Sequence, residues 1–166
     1  EPVKRKVLED AYGGEFECYT KKSEFPVTVD LMINSVVSRQ TDASISFAEI
    51  YKSSKAARII GIEEEAKARI SSKEVLIALK MHSARLTDAR DIVALCKDIS
   101  FEEISKYIKR GNLEKVRNNL NSLLELIKSD NFKDSFKGVF SIEKLPKGNI
   151  ENAIRLIEDA RKIISK

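Results

Sequence analysis

The stretch that most constrains the fold is residues 71–96, SSKEVLIALKMHSARLTDARDIVALC. In both halves the apolar residues recur at roughly the spacing of one helical face, and a short polar segment separates the two. Ser71 and Glu74 form a capping-box pattern that predicts the start of the first helix. Thr87 or Asp88 is expected to cap the second helix. The sequence therefore predicts two helices joined by a tight corner, around which four charged residues cluster: Lys80, Arg85, Asp88 and Asp91.

The chain after this pair is predicted to be helical to its end. A capping box at Ser100 and Glu103 begins one helix, Asn112 begins a longer one and Asn149 begins the last. Apolar residues follow each start at spacings of three and four, and a looser segment covers residues 130–147. These helices are expected to form a small bundle of antiparallel neighbours.

The chain before residue 71 mixes strand and helix patterns. Residues 3–12 place apolar side chains on one helical face and predict a helix that Gly13 and Gly14 end. The alternating residues 25–33 pair with residues 16–20 as a predicted β-hairpin. The remaining predictions are a loop over 34–46, a short helix over 47–52 and a second hairpin from 57–62 and 66–70, whose Glu, Ala and Lys also suit a helix.

Composition excludes several classes of protein. The 166 residues are 42% hydrophobic, with no apolar stretch long enough for a membrane span and no signal peptide. Thirty basic and 26 acidic residues give a net charge of +4, which permits a phosphate-bearing partner but equally suits an ordinary surface rich in Lys and Glu. Cys18 and Cys96 are too few for a disulfide framework, so we expect free thiols and a cytoplasmic protein. The single histidine, His82, argues against a zinc site.

Each candidate residue has both a functional and a structural interpretation. Asp30 lies in an alternating strand, where a carboxylate is either exposed at an edge or held by a metal or a hydrogen bond. Lys80 lies among apolar neighbours, where a lysine can extend to solvent along the helix flank. Asp88 and Asp91 lie near a helix start, which favours acids, and Arg85 can pair with either. No phosphate-binding loop with a Gly-Lys-Ser/Thr ending is present.

The strand VDLMI, the Phe-containing segment after it and the run SSKEVLIALKMHSARLTDARDIVALC together resemble the nucleotidyltransferase-fold superfamily. The resemblance covers residues 3–97 and is greatest to the minimal, abortive-infection-toxin-like branch found in bacterial and archaeal defence loci, including toxin–antitoxin pairs. It implies an α+β fold, a partial nucleotidyltransferase-like small mixed sheet with helices, followed by a C-terminal helical bundle. The implied domains are a core over residues 1–97 and a helical subdomain over residues 98–166.

The resemblance also implies a site. Asp30 matches the third metal-binding carboxylate, Lys80 matches the helix lysine that approaches the nucleotide phosphates, and Arg85, Asp88 and Asp91 match the polar corner that lines the site. In such a site three carboxylates hold two Mg²⁺ ions that align and neutralise an attack on the α-phosphate of an NTP. Asp30 and Lys80 are then expected to converge on one pocket.

The sequence departs from the family at the opening motif. No Gly-Ser pair with an Asp-x-Asp occurs, so the chain offers one of the three carboxylates, which alone should not hold Mg²⁺ tightly. We expect residues upstream of Glu1, and a partner protein, self-association or those residues covering an open sheet edge. Three functions follow: nucleotidyl transfer to a protein, RNA or small molecule; nucleotide or partner binding without catalysis; or binding of protein or nucleic acid by the helices after Ser100. The basic residues behind the last, for which a solvated helix face is the simpler interpretation, are Lys106, Lys109, Arg110, Lys115 and Arg117.

Overall fold

The computed structural model describes residues 2–22, 24–62 and 64–165. Over these residues the chain has an α+β fold with three small antiparallel sheets and a helical C-terminal region, as the sequence predicts. It divides into two compact units. The first unit contains the described residues up to Val37 together with Ser44–Ser71, and the second contains Ser38–Ala43 together with the described residues from Ser72 onward.

The first unit holds all the strands and one short helix. Its three-stranded sheet has the order β1-β2-β3, and two-stranded sheets are formed by β4 with β5 and by β6 with β7. Every pairing is antiparallel, whereas the resemblance implied a mixed sheet. The elements are β1 Lys4–Val7, β2 Glu15–Lys21, β3 Val27–Ile33, β4 Ser35–Val37, β5 Ser44–Ser46, α1 Phe47–Ser53, β6 Lys55–Ile60 and β7 Glu65–Ile70.

The helix predicted over residues 3–12 is wrong, because that segment enters the sheet instead. Lys4 pairs with Cys18 and Val7 with Glu15, so β1 forms backbone hydrogen bonds with β2, a pairing that local periodicity does not reveal. Gly13, with φ of +63°, allows the turn into β2 rather than ending a helix. The β2–β3 hairpin is confirmed, with Cys18 opposite Asp30.

Of the other predictions for this unit, the short helix and the second hairpin are confirmed, and the predicted loop is not. The short helix is confirmed as α1, which Ser46 and Glu49 begin with a reciprocal capping box. The second hairpin is confirmed as β6 and β7, although its predicted turn includes Glu63, which lies outside the described residues. The loop predicted over 34–46 contains β4 and β5, because each strand is only three residues long and leaves no measurable alternation.

The second unit is a helical bundle. Its helix starts differ from the predicted caps by a few residues: Ser72 rather than Ser71 accepts the capping hydrogen bond of the first helix, and the last helix begins after Pro146 rather than at Asn149. Ser100 and Asn112 are confirmed as caps, and the looser segment contains a regular helix over Asp130–Phe140, with residues 141–146 outside any helix. The helices are α2 Lys73–Ser83, α3 Leu86–Leu95, α4 Phe101–Ile108, α5 Leu113–Lys128, α6 Asp130–Phe140 and α7 Lys147–Ile164.

The hydrophobic core of the bundle explains where the units divide. Buried side chains of α2 and α3 pack in one cluster with those of α4 to α7. The two helices that the resemblance placed in the first domain pack in this cluster with the C-terminal helices, and the last change of unit along the chain falls at 71–72. The predicted domain boundary at 97–98 stays a prediction. Among the described residues, Ile45 is the one buried core hydrophobic of the first unit.

The loop Ser38–Ala43 belongs to the bundle although it lies between β4 and β5 in sequence. The hydroxyl of Thr41 lies 2.8 Å from Nδ1 of the buried His82, and the carbonyl of Thr41 accepts a 2.7 Å hydrogen bond from the Asn112 amide. At Gly111, whose φ is +72°, an added Cβ would lie 2.2 Å from the Thr41 carbonyl oxygen. A residue without a side chain is therefore required where this loop meets the turn between α4 and α5.

Candidate functional site

The four charged residues at the α2–α3 corner form one cluster. Nζ of Lys80 lies 3.0 Å from Oδ1 of Asp88 and 2.6 Å from Oδ2 of Asp91. Arg85 donates from Nε and Nη2 to the two carboxylate oxygens of Asp88, at 2.8 and 3.2 Å. The sequence prediction that these residues lie around one corner agrees with this geometry, and both carboxylates pair with cations of the same corner.

Local backbone geometry places the cluster. Ala84 has a left-handed conformation, with φ of 51°, that ends α2 and turns the chain sharply. Arg85 is the N-cap of α3, and the Asp88 carboxylate accepts a 3.0 Å hydrogen bond from the Arg85 backbone amide. Asp88 thus satisfies an open amide of the helix start. Because α3 continues without a break, Asp91 follows one turn later on the side that Lys80 reaches.

Burial and pairing set the electrostatics of the corner. The Asp88 side chain is fully buried, which acts to raise its pKa, but hydrogen bonds from Arg85, Lys80 and Ser83 outweigh burial and lower that pKa to about 2. Partial burial acts to lower the pKa of Lys80, and its hydrogen bonds to Asp91 and Asp88 outweigh burial and raise it. Both groups are therefore charged at neutral pH.

The arrangement divides the corner into a fixed and an exchangeable part. Asp88 is held by Arg85 and by the helix start, whereas the Asp91 side chain is 42% exposed and bonded to Lys80. The ammonium group of Lys80 has three donors, of which these two carboxylates take two. An incoming phosphate oxygen can therefore reach Lys80 by the third donor or by displacing Asp91, while Asp88 keeps the lysine in place.

Asp30 belongs to the first unit, whereas the four corner residues belong to the second. Asp30 lies exposed in the middle of β3, opposite Cys18 of β2. A hydrogen bond to Asp30 raises the pKa of the Cys18 thiol. No group of three or more His, Cys, Asp or Glu side chains suited to a metal occurs in residues 2–22, 24–62 and 64–165. The predicted magnesium site at Asp30, and its convergence with Lys80, stay predictions.

The basic residues of the helices after Ser100 are largely engaged within the bundle. Lys106 pairs with Glu103, and Lys115 pairs with Asp42 at 2.8 Å. Arg110 stacks over the ring of Tyr107, and Arg117 donates a long 3.5 Å hydrogen bond to the carbonyl of Ile164. These contacts agree with the structural interpretation of the residues as bundle surface.

A second set of charged residues, absent from the sequence-based candidates, lies on the β6–β7 hairpin. Arg58, Lys67 and Arg69 lie on one face of it, because paired residues of an antiparallel hairpin share a face and alternate residues of a strand do so too. The alternation of KAARII and EAKARI contains this signal, but it becomes visible only when the register between the two strands is known.

The comparisons with known proteins provide no further assignment. No family model matches this sequence, and no curated protein or solved structure shows significant similarity to it. Among the helices of the described residues, none has the length and apolar character that crossing a membrane requires.

Proposed function

We propose that this protein takes part in Mg²⁺-dependent transfer of a nucleotidyl group from an NTP, and that Lys80 contacts the polyphosphate. The observation that carries the proposal is the corner itself. Lys80 is held by a buried carboxylate on one side and by a partly exposed, displaceable carboxylate on the other. A lysine held in this way has a fixed position, and its ammonium group can still bind an anion.

The acceptor in this proposal is a protein, an RNA or a small molecule, and Asp30 contributes one metal-binding carboxylate. Mg²⁺ arrives with the NTP, since one carboxylate and substrate phosphates can together hold this ion. The further carboxylates come from residues outside this sequence or from a partner chain. A cytoplasmic location belongs to the same proposal and is supported by the two free cysteines, Cys18 and Cys96.

Nucleotide binding tests the role of Lys80. Titration calorimetry with Mg²⁺ and each NTP should give binding that Lys80→Gln weakens by about tenfold, the loss of roughly one charge-assisted hydrogen bond. Asp91→Asn should strengthen binding, because it removes a negative charge and frees Lys80. A matched control is Lys106→Gln, a helix lysine with an acidic partner one turn away. If Asp91→Asn and Lys80→Gln both leave NTP affinity unchanged, the corner is purely structural.

Labelled NTP tests the transfer itself. In a form of the protein that transfers label with Mg²⁺, Asp30→Asn should reduce transfer at least 100-fold, because a metal ligand is lost. Glu24→Gln provides a control carboxylate that lies just before β3. Transfer that survives Asp30→Asn contradicts the metal-binding role. NTP binding without transfer under any condition favours the second candidate, a domain that binds nucleotide, protein or RNA without catalysis.

A further inference from the structure

Five of the ten Lys and Arg residues of the first unit lie in the β6–β7 hairpin and the helix before it. Residues 51–60 and 65–70 carry five basic side chains and one acidic one. The turn between the two strands contains the exposed acidic residue Glu64, and Glu63 precedes it in sequence. In sequence, residues 51–70 carry a net charge of +2, or +4 when the two turn acids are left out.

Strand register gathers three of these cations on one face. Arg58 is directly opposite Lys67, and Arg69 is opposite Ala56 on the same face. Like charges directly opposite each other destabilise a hairpin, and an isolated two-stranded hairpin is only marginally stable in water. The ion pair of Arg58 with Glu65 offsets part of this repulsion, and an anionic partner on this face would offset the rest.

The cations differ in how they are held. The guanidinium of Arg69 lies 4.0 Å from the centre of the Tyr51 ring and donates to the hydroxyl and carbonyl oxygens of Ser54 at 2.8 and 2.9 Å. Arg58 pairs with Glu65 across the strands, and the side chain of Lys67 forms no ion pair or hydrogen bond within the described residues. The face therefore presents one fixed guanidinium and one uncommitted ammonium group, together with the exposed ring of Tyr51.

We propose that this basic face of the β6–β7 hairpin binds duplex DNA through the phosphate backbone. Phosphate groups are the partners that clustered Arg and Lys neutralise, with release of counterions. The major groove of B-form DNA admits a two-stranded β-ribbon, whereas the major groove of A-form RNA is too narrow for side chains to read. The exposed Glu64 in the turn would repel phosphate, which favours contact along the strands, where the cations lie.

Fluorescence anisotropy with a labelled 20-base-pair DNA duplex tests the proposal. The informative variant is Arg58→Thr/Lys67→Thr, because threonine favours strands and replaces a repulsive pair, so the hairpin is retained. At 50 mM NaCl we expect at least tenfold weaker binding. The slope of log K against log salt should fall by about 2, which corresponds to two lost phosphate contacts. The melting temperature should not fall.

The control is Lys4→Thr/Lys6→Thr, which removes the same charge from exposed positions of β1. Its DNA affinity should stay within twofold of the wild-type value. Equal effects of the two double variants, no binding to the duplex at 50 mM NaCl, or tighter binding to RNA or to acidic lipid vesicles would each overturn the proposal. Mg²⁺–NTP binding should be unchanged in both variants, so this test is independent of the proposed transferase function.

Discussion

Asp88 illustrates how a single buried charge organises its surroundings. It accepts hydrogen bonds from the Arg85 backbone and side chain and pairs with Lys80, so its desolvation is compensated from three directions. Removing a partner from such a group costs more than the interaction itself contributes, because the remaining charge is left buried.

We expect Asp88→Asn to lower the free energy of unfolding by about 2 kcal/mol at pH 7, which follows from a folded-state pKa of about 2 against an ordinary value near 3.8. Since the folded-state pKa is depressed, the wild-type stabilisation is present above pH 4 and is lost as the pH falls towards 2. Urea unfolding at several pH values measures both effects. The control Asp130→Asn, at an exposed pair, should leave the free energy of unfolding nearly unchanged.

His82 makes the free energy of unfolding depend on pH for a second reason, the burial of a neutral imidazole. Its Nε2–H donates to the Tyr107 carbonyl at 3.1 Å and its Nδ1 accepts from Thr41, so the neutral ring is satisfied on both sides. Burial lowers its pKa, and the nearby positive charge of Arg110 acts in the same direction.

Because the folded-state pKa of His82 is depressed, its imidazole binds a proton below pH 6.5 in the unfolded chain but stays neutral in the folded chain. The free energy of unfolding should therefore decrease as the pH falls from 7.5 to 5. His82→Gln should remove this slope, whatever its effect on stability at pH 7.5. The chain has one histidine, so a slope that persists in His82→Gln would contradict the assignment.

At the scale of elements, the meeting of the 38–43 loop with the α4–α5 turn depends on Gly111. We expect Gly111→Ala to destabilise the protein by about 2 kcal/mol or more, because a methyl group would overlap the Thr41 carbonyl at a positive φ. Gly138→Ala, within α6, meets nothing within 4 Å and should stabilise by about 0.5–1 kcal/mol. Thermal unfolding of both variants measures the contrast, and equal shifts would contradict it.

The elements also show what sequence patterns can and cannot predict. Helical stripes in α4, α5 and α7 were recognisable because spacings of three and four identify a buried face whatever the partner helix is. The β1 segment was misassigned because its apolar spacing fits a helix, and its strand pairing depends on a partner about ten residues away. Caps shifted by one residue at Ser72, since adjacent serines offer the same chemistry.

At the candidate site too, the local arrangement was predictable from the sequence and the longer-range contacts were not. The corner residues lie within twelve positions on two adjoining helices, so their proximity follows from local geometry. Their mutual neutralisation depends on side-chain directions that spacing does not specify. The docking of Thr41 against His82, 41 residues away, involves no periodic pattern at all.

At the scale of the whole molecule, the two units differ in how they are stabilised. The bundle has an extensive apolar core, whereas every residue of β3 is exposed and Ile45 is the one core hydrophobic of the first unit among the described residues. Local stability follows buried apolar contact, so the units are expected to open with different free energies.

Hydrogen exchange measures this difference. Amides of β1–β3 and of β6 and β7 should exchange at least tenfold faster than those of α5 and α7, because exposed hydrogen bonds open locally. Sheet amides that are as well protected as the α5 and α7 amides, at both low and high protein concentration, would contradict the expectation. Protection that grows with concentration would point instead to self-association over the exposed strands.

The six-residue loop from Ser38 to Ala43 has a consequence for how this protein can be divided. The polypeptide passes from one unit to the other three times, between residues 37 and 38, 43 and 44, and 71 and 72. A gene fragment that encodes only residues 72–166 would therefore produce helices without the segment that seals His82 and occupies the space beside Gly111. Recombination or truncation between residues 71 and 72 would separate the bundle from its own segment Ser38–Ala43. The two units therefore have to be inherited, expressed and engineered as one.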